Sequence, residues 1–203
     1  MPTLQFYRYF VGCRPDASLR AALAQAGSRA GQSLRPDGYH LTFCVIAEVP
    51  ERDSSIADRV RAAFAEQTLH SAPIPFGRVV GGDLGAMVKT IGRQDELQDL
   101  YAVIVRSLAP QGLEPMHRKS GFRPHSTLGH DACSFVQFNI AHEWIPGELL
   151  LIESEVGLTR HNVLGSWHLL PPRQLRLPFS DFSPPDAGEC VIPAANPARR
   201  SAA

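Results

Sequence analysis

The fold class follows from residues 39–49, which read YHLTFCVIAEV. This segment is rich in β-branched and aromatic residues and is followed by Pro50, so it is predicted to be a strand. It contains His40-Leu41-Thr42-Phe43, and the same His-x-Thr-apolar pattern returns in the other half of the chain as His125-Ser126-Thr127-Leu128. Because side chains alternate along a strand, the His and Thr of each copy are predicted to point to one face.

Strands and helices are predicted to alternate around these two motifs. Strands are predicted over residues 4–13, 74–81, 86–91, 125–128, 149–156 and 167–170, and helices over residues 17–26, 54–67 and 95–108. Residues 132–141 are ambiguous, with a short helix as one interpretation. The glycine-rich residues 82–85 lie between two short apolar runs and predict a hairpin, so the sheets are expected to be antiparallel and the fold class α+β.

The composition excludes several classes of protein. The 203 residues are 44% hydrophobic and 20% charged, which indicates a folded domain. The net charge is +0, so a protein that coats duplex DNA is not expected. The four cysteines are too widely spaced for a Cys-x-x-Cys pair, and no signal peptide or membrane-length apolar run is evident. We therefore expect reduced thiols in a cytoplasmic protein.

Two copies of His-x-Thr suit phosphodiester chemistry if they share one cleft. We expect the two halves of the chain to pack about an approximate two-fold axis, which would bring two imidazoles and two hydroxyls together. One imidazole can then take a proton from water while the other protonates a leaving oxygen. The Thr hydroxyls can donate hydrogen bonds to phosphoryl oxygens as charge develops. The alternative is that His40 and His125 are sheet-edge histidines whose hydrogen bonds are satisfied within the fold.

On these motifs the chain resembles the two-histidine (2H) phosphoesterase superfamily, in its bacterial 2'-5' RNA ligase-like branch. The segments YHLTFCVIAEV and GFRPHSTL carry the resemblance, and LLLIESEVG is similar to a late strand of that branch. The resemblance implies a bilobal α+β fold with two pseudo-symmetric antiparallel sheets, helices on their outer faces and a central cleft. We expect one such domain over residues 1–182, a loose C-terminal tail over residues 183–203, and a monomer.

The resemblance also implies an enzyme that needs neither a metal nor a cofactor. It implies that a catalytic quartet hydrolyses a 2',3'-cyclic phosphate, at an RNA 3' end or in a small cyclic nucleotide, to a 2'-phosphate. The quartet consists of His40, Thr42, His125 and Thr127. Reversible 2'-5' RNA ligation is a further activity associated with the branch. By analogy His125 is the base for water and His40 is the acid for the departing 3' oxygen, although the near-symmetry of the motifs allows the reverse.

Residues beside the second motif are candidate substrate contacts. Arg123 is predicted to contact a flanking phosphate, together with Arg118 and Lys119, and Phe122 is predicted to offer a face to a base. The branch often has an arginine after the second motif, where this chain has Gly129-His130, so His130 is expected to supply a donor there. A solvated loop anchored by its aromatic residue is the alternative.

Two other functions stay open at this point. His40 and His125 could ligate a metal, although the carboxylates that would complete such a site are not evident in the sequence. The second alternative is a module that binds an RNA end or a nucleotide in an intact cleft and never turns it over. Two titrating imidazoles favour the enzyme, because binding alone does not need both.

Overall fold

Strands of one antiparallel sheet run through the computed structural model, which describes residues 6–116, 121–158 and 160–173. Within these residues the sheet has eight strands in the order β6-β3-β4-β5-β2-β1-β7-β8. The strands are β1 (Tyr7–Cys13), β2 (Leu41–Val49), β3 (Ile74–Gly82), β4 (Gly85–Thr90), β5 (His125–Gly129), β6 (Val136–Trp144), β7 (Glu148–Glu155) and β8 (Arg160–His168). The antiparallel α+β fold class is confirmed.

The two expected sheets are the two halves of this single sheet. Strands β6-β3-β4-β5 form one half and strands β2-β1-β7-β8 form the other. The halves meet where β2 runs beside β5, through one antiparallel residue pair, Leu41 with Ser126. This junction joins the two His-x-Thr motifs at the centre of the sheet. The two-fold relation between the halves stays a prediction.

The described residues include three α-helices: α1 (Ala17–Arg29), α2 (Ser54–Phe64) and α3 (Asp95–Leu108). The Asp16 side chain accepts a hydrogen bond from the Leu19 backbone N–H at 2.8 Å and caps α1. Helix α1 packs against β5 and β6, and α2 packs against α3 and β8. None of the described helices is long and apolar enough to cross a membrane.

Some boundaries differ from the sequence-based predictions. Helix α1 continues through Gly27 to Arg29, because Gly27 is buried in a helical conformation and does not terminate the helix. The helical interpretation of residues 132–141 is wrong, since this region contains β6, whose side chains alternate between half-buried and exposed. Strand β8 begins at Arg160, well before the predicted start at residue 167. The predicted tail over residues 183–203 lies outside the described residues.

Candidate active site

A cleft of about 870 Å³ opens on the sheet where its two halves meet. It is lined by seven of the residues singled out from the sequence: His40, Thr42, Phe122, Arg123, His125, Thr127 and His130. The structure therefore brings together two motifs that lie far apart in the chain. Residues of β1 and β7 and Tyr101 of α3 also line the cleft.

The β2–β5 junction explains how the four motif residues come together. Leu41 pairs with Ser126, and both are nearly fully buried on the core side of the sheet. Their neighbours along each strand point to the opposite face, which is the face of the cleft. Since the pairing is antiparallel, each motif's His is placed beside the other motif's Thr. The Thr hydroxyls form no hydrogen bond with any other described residue, so they remain available to a ligand.

Both imidazoles are oriented in the same way by their own strands. Nδ1 of His40 lies 2.7 Å from the carbonyl oxygen of Gly38, and Nδ1 of His125 lies 2.9 Å from the carbonyl oxygen of Arg123. A carbonyl oxygen only accepts hydrogen bonds, so each Nδ1 carries the proton and donates it. Each Nε2 is then the nitrogen that can take up or release a proton in the cleft.

His40 packs among other rings. Its ring centroid lies 4.9 Å from that of Phe10, at an interplanar angle of 34°, and 4.9 Å from that of His161, at 85°. The pKa of His40 is lowered to about 4, first by burial and then by the nearby His161, while the hydrogen bond to the Gly38 carbonyl opposes the shift. His40 is therefore neutral at pH 7.

His161 is a cleft residue that the sequence analysis did not select. Its ring lies against that of His40, and the Asp37 backbone, one residue before the carbonyl that holds His40, acts to raise the pKa of His161. Its own carbonyl oxygen accepts a hydrogen bond from Arg14 Nη2 at 3.3 Å. Burial, followed by the nearby Arg14 charge, lowers the pKa of His161. No motif marks this histidine, because its partners come from other parts of the chain.

The fold has known relatives among solved structures, whereas no family model and no curated protein matches the chain. Escherichia coli LigT complexed with 3'-AMP is 19% identical, with a TM-score of 0.65 over 81% of this chain and 98% of LigT. A crystal structure of a phosphoesterase is 18% identical, with a TM-score of 0.64 over 80% of this chain and 98% of that one. This chain has the fold of LigT. TT0787 of Thermus thermophilus shares the LigT fold as well, at 18% identity and a TM-score of 0.61 over 82% of this chain and 100% of that one. These likenesses agree with the resemblance drawn from the two motifs.

In this LigT fold the predicted substrate contacts lie on the rim of the cleft. Phe122 is half-buried and stacks on Tyr101, with ring centroids 4.6 Å apart, and on Phe43, with centroids 5.4 Å apart. These two contacts anchor the segment that precedes the second motif. Arg123 and His130 are exposed and line the cleft. The predicted contacts Arg118 and Lys119 lie outside the described residues.

Several side chains that line the cleft are of types that can ligate a metal, but the described ones are not grouped as a metal site. No group of three or more His, Cys, Asp or Glu side chains within residues 6–116, 121–158 and 160–173 is arranged to hold a metal ion. The cleft thus combines the two motif imidazoles with two threonine hydroxyls.

Proposed function

We propose that this chain is a metal-independent phosphodiesterase that hydrolyses 2',3'-cyclic phosphates, at RNA ends or in nucleotides, to 2'-phosphates. The observation that carries this proposal is the pair of imidazoles in one cleft, each held through Nδ1 by a backbone carbonyl. Two such groups supply both proton transfers of the reaction, each typically worth about 10²–10⁴-fold in rate.

In the proposed reaction the two histidines transfer protons and the two threonines bind the phosphoryl group. His125 Nε2 takes a proton from water as the water oxygen bonds to phosphorus. The bond between phosphorus and the 3' oxygen breaks, and His40 Nε2 gives its proton to that oxygen. The hydroxyls of Thr42 and Thr127 donate hydrogen bonds to the non-bridging phosphoryl oxygens, where negative charge builds up in the transition state. If the 5'-hydroxyl of a second RNA replaces water as the nucleophile, the same groups would form a 2'-5' phosphodiester: His125 takes the proton of that hydroxyl, and His40 protonates the departing 3' oxygen.

The lowered pKa of His40 fits the acid role only when substrate is bound. A group with a pKa of about 4 is neutral at pH 7 and carries no proton to give. A phosphodiester anion in contact with the ring favours the imidazolium form and raises that pKa. We therefore propose that His40 takes up its proton together with the substrate.

The named complexes of LigT are compatible with such a ligand. LigT structures complexed with 3'-AMP, with ATP and with phosphate are among those that share this fold. All three ligands carry phosphate groups, and two of them are adenine nucleotides. These complexes support a nucleotide as the ligand of the present cleft. The proposed 2',3'-cyclic phosphate of that ligand is tested by the turnover assay.

The test is turnover of a nucleoside 2',3'-cyclic phosphate, and of a short RNA that ends in one, in EDTA across about pH 5 to 9. Wild type is expected to form the 2'-phosphate in EDTA. His40→Ala and His125→Ala are each expected to lose about 10²–10⁴-fold in kcat, since each removes one proton transfer.

The matched control is His168→Ala. His168 is exposed at the end of the edge strand β8 and does not line the cleft, so this variant should keep wild-type activity. Full activity in both His40→Ala and His125→Ala would refute the proposal. Saturable binding of the cyclic phosphate with no product in wild type would instead identify a binding module.

A further inference from the structure

A row of paired residues crosses one half of the sheet and ends at His125. Lys89 of β4 pairs with His125 of β5, and Arg78 of β3 pairs with Lys89. Asn139 of the edge strand β6 pairs with Arg78 and completes the row. Directly paired residues on neighbouring strands share a face, so these side chains extend from the cleft to the edge of the sheet.

The row lies on the exposed face of this half of the sheet. Arg78, Lys89 and Asn139 are all exposed. The residues next to the two cations, Val79 and Val88, are paired with each other and fully buried on the opposite face. The core therefore fixes the backbone positions of the two cations relative to His125.

No acidic side chain occupies this row. Neither Arg78 nor Lys89 forms an ion pair or a side-chain hydrogen bond with another described residue. Asp83 lies beyond the far end of β3, and Glu143 pairs with Pro75 near the other end of that strand. This half of the sheet therefore leaves the positive charges of Arg78 and Lys89 without an acidic partner, although the whole chain has a net charge of +0.

We propose that Lys89 and Arg78 form a phosphate track that binds the RNA backbone on the 5' side of the reacting end. This inference rests on the proposed function, which places the cyclic phosphate beside His125. Neighbouring strands lie about 4.8 Å apart, so the backbones of Lys89 and Arg78 lie about 5 Å and about 10 Å from that of His125. Their side chains can meet successive phosphates of an extended strand, which a mononucleotide does not have.

The track makes single-stranded RNA the preferred substrate over a cyclic mononucleotide. Contacts with phosphates are independent of sequence and weaken with salt, because binding releases counterions. For single strands each contact contributes about −0.7 to the slope of log affinity against log salt concentration. Two contacts therefore account for a slope of about −1.4.

The experiment compares wild type with Arg78→Ala/Lys89→Ala in two measurements. The first is the ratio of kcat/KM for a short RNA ending in a 2',3'-cyclic phosphate to kcat/KM for the matching mononucleotide. The second is the salt dependence of binding of a fluorescent RNA ending in a 2'-phosphate, followed by anisotropy, which needs no turnover. The double variant is expected to lower the ratio by about tenfold or more and to make the salt slope less steep by about 1.4.

The matched control removes two positive charges elsewhere. Arg20 on α1 and Arg106 on α3 are exposed on helices and do not line the cleft, so Arg20→Ala/Arg106→Ala should leave both readouts near wild type. A salt slope that is unchanged in the track variant, or changed equally in the control, would overturn the track. Absence of turnover in every protein, with the expected change in slope, would refute the phosphodiesterase and leave the track standing.

Discussion

His40 is the residue on which the chemistry of the cleft depends most. It is enclosed by Phe10 and His161 and held by the Gly38 carbonyl, and its pKa is lowered to about 4. Burial favours the neutral ring, and a phosphodiester anion favours the charged one. Ligand binding should therefore be linked to proton uptake at neutral pH, and affinity should increase as the pH falls from 7 toward 4.

This linkage can be measured by calorimetry in buffers with different heats of ionisation. Titrating His125→Ala with a nucleoside 2',3'-cyclic phosphate avoids turnover while His40 is retained. We expect the observed binding enthalpy to depend on the buffer in the direction of proton uptake. The double variant His40→Ala/His125→Ala serves as the control and should lose that dependence. Equal buffer dependence in both proteins would show that His40 is not the group that takes up the proton.

At the residue scale, the sequence was enough to identify the two His-x-Thr motifs but not the residues that contact them in the cleft. The pair His40 and Thr42, like the pair His125 and Thr127, can be recognised because a two-residue spacing in a strand puts both on one face. His161 could not be recognised in this way. Its ring contact with His40 joins segments distant in sequence, so only the folded chain brings the two histidines together.

The contact between β1 and β2 sets the position of the first motif. Gly12 of β1 pairs with Thr42, and a Cβ atom added to Gly12 would lie 2.5 Å from the backbone carbonyl oxygen of Leu41. Backbone cannot move aside as a flexible side chain can, so a larger residue here must push β1 and β2 apart. The strand pair would then shift next to His40.

Gly12→Ala is therefore expected to destabilise the fold by about 1–3 kcal/mol, as overpacking typically does, and to lower turnover. Chemical denaturation measures the first effect, and the cyclic phosphate assay measures the second. Gly147→Ala is the matched control, because a Cβ atom at Gly147 meets nothing within 4 Å. Equal unfolding free energies for the two variants would contradict this account of the junction.

Elements with strong periodicity were predictable, and edge strands were not. Helix α3 has the predicted bounds, because its apolar residues recur along one helical face and are buried there. Strand β6 is an edge strand with no strongly apolar run, so its sequence did not distinguish a strand from a short helix. The beginning of β8 was missed for a similar reason, since Arg160, His161 and Asn162 are polar.

For the whole molecule, the α+β class and the antiparallel sheet followed from the alternation of elements. The continuity of the sheet did not follow, because it rests on one non-local pair, Leu41 with Ser126. That pair places the two motifs side by side in one cleft, and the cleft opens onto a half-sheet bearing Lys89 and Arg78. The arrangement predicts an enzyme that binds an RNA strand on one side of the cleft. At the centre of the cleft, one imidazole accepts a proton from water and the other donates a proton to the leaving oxygen.

The most direct test of that central claim uses a substrate in which sulfur replaces the 3' bridging oxygen of the cyclic phosphate. A thiolate leaves without being protonated, so the general acid becomes dispensable while the general base does not. We predict that His40→Ala approaches the wild-type rate on the sulfur substrate, whereas His125→Ala remains slower by about 10²–10⁴-fold. If the sulfur substrate instead restores the rate of His125→Ala, then His125 is the general acid and His40 is the general base. If both variants stay equally slow on the oxygen and the sulfur substrates, neither imidazole protonates the leaving atom, and the two-histidine mechanism is contradicted.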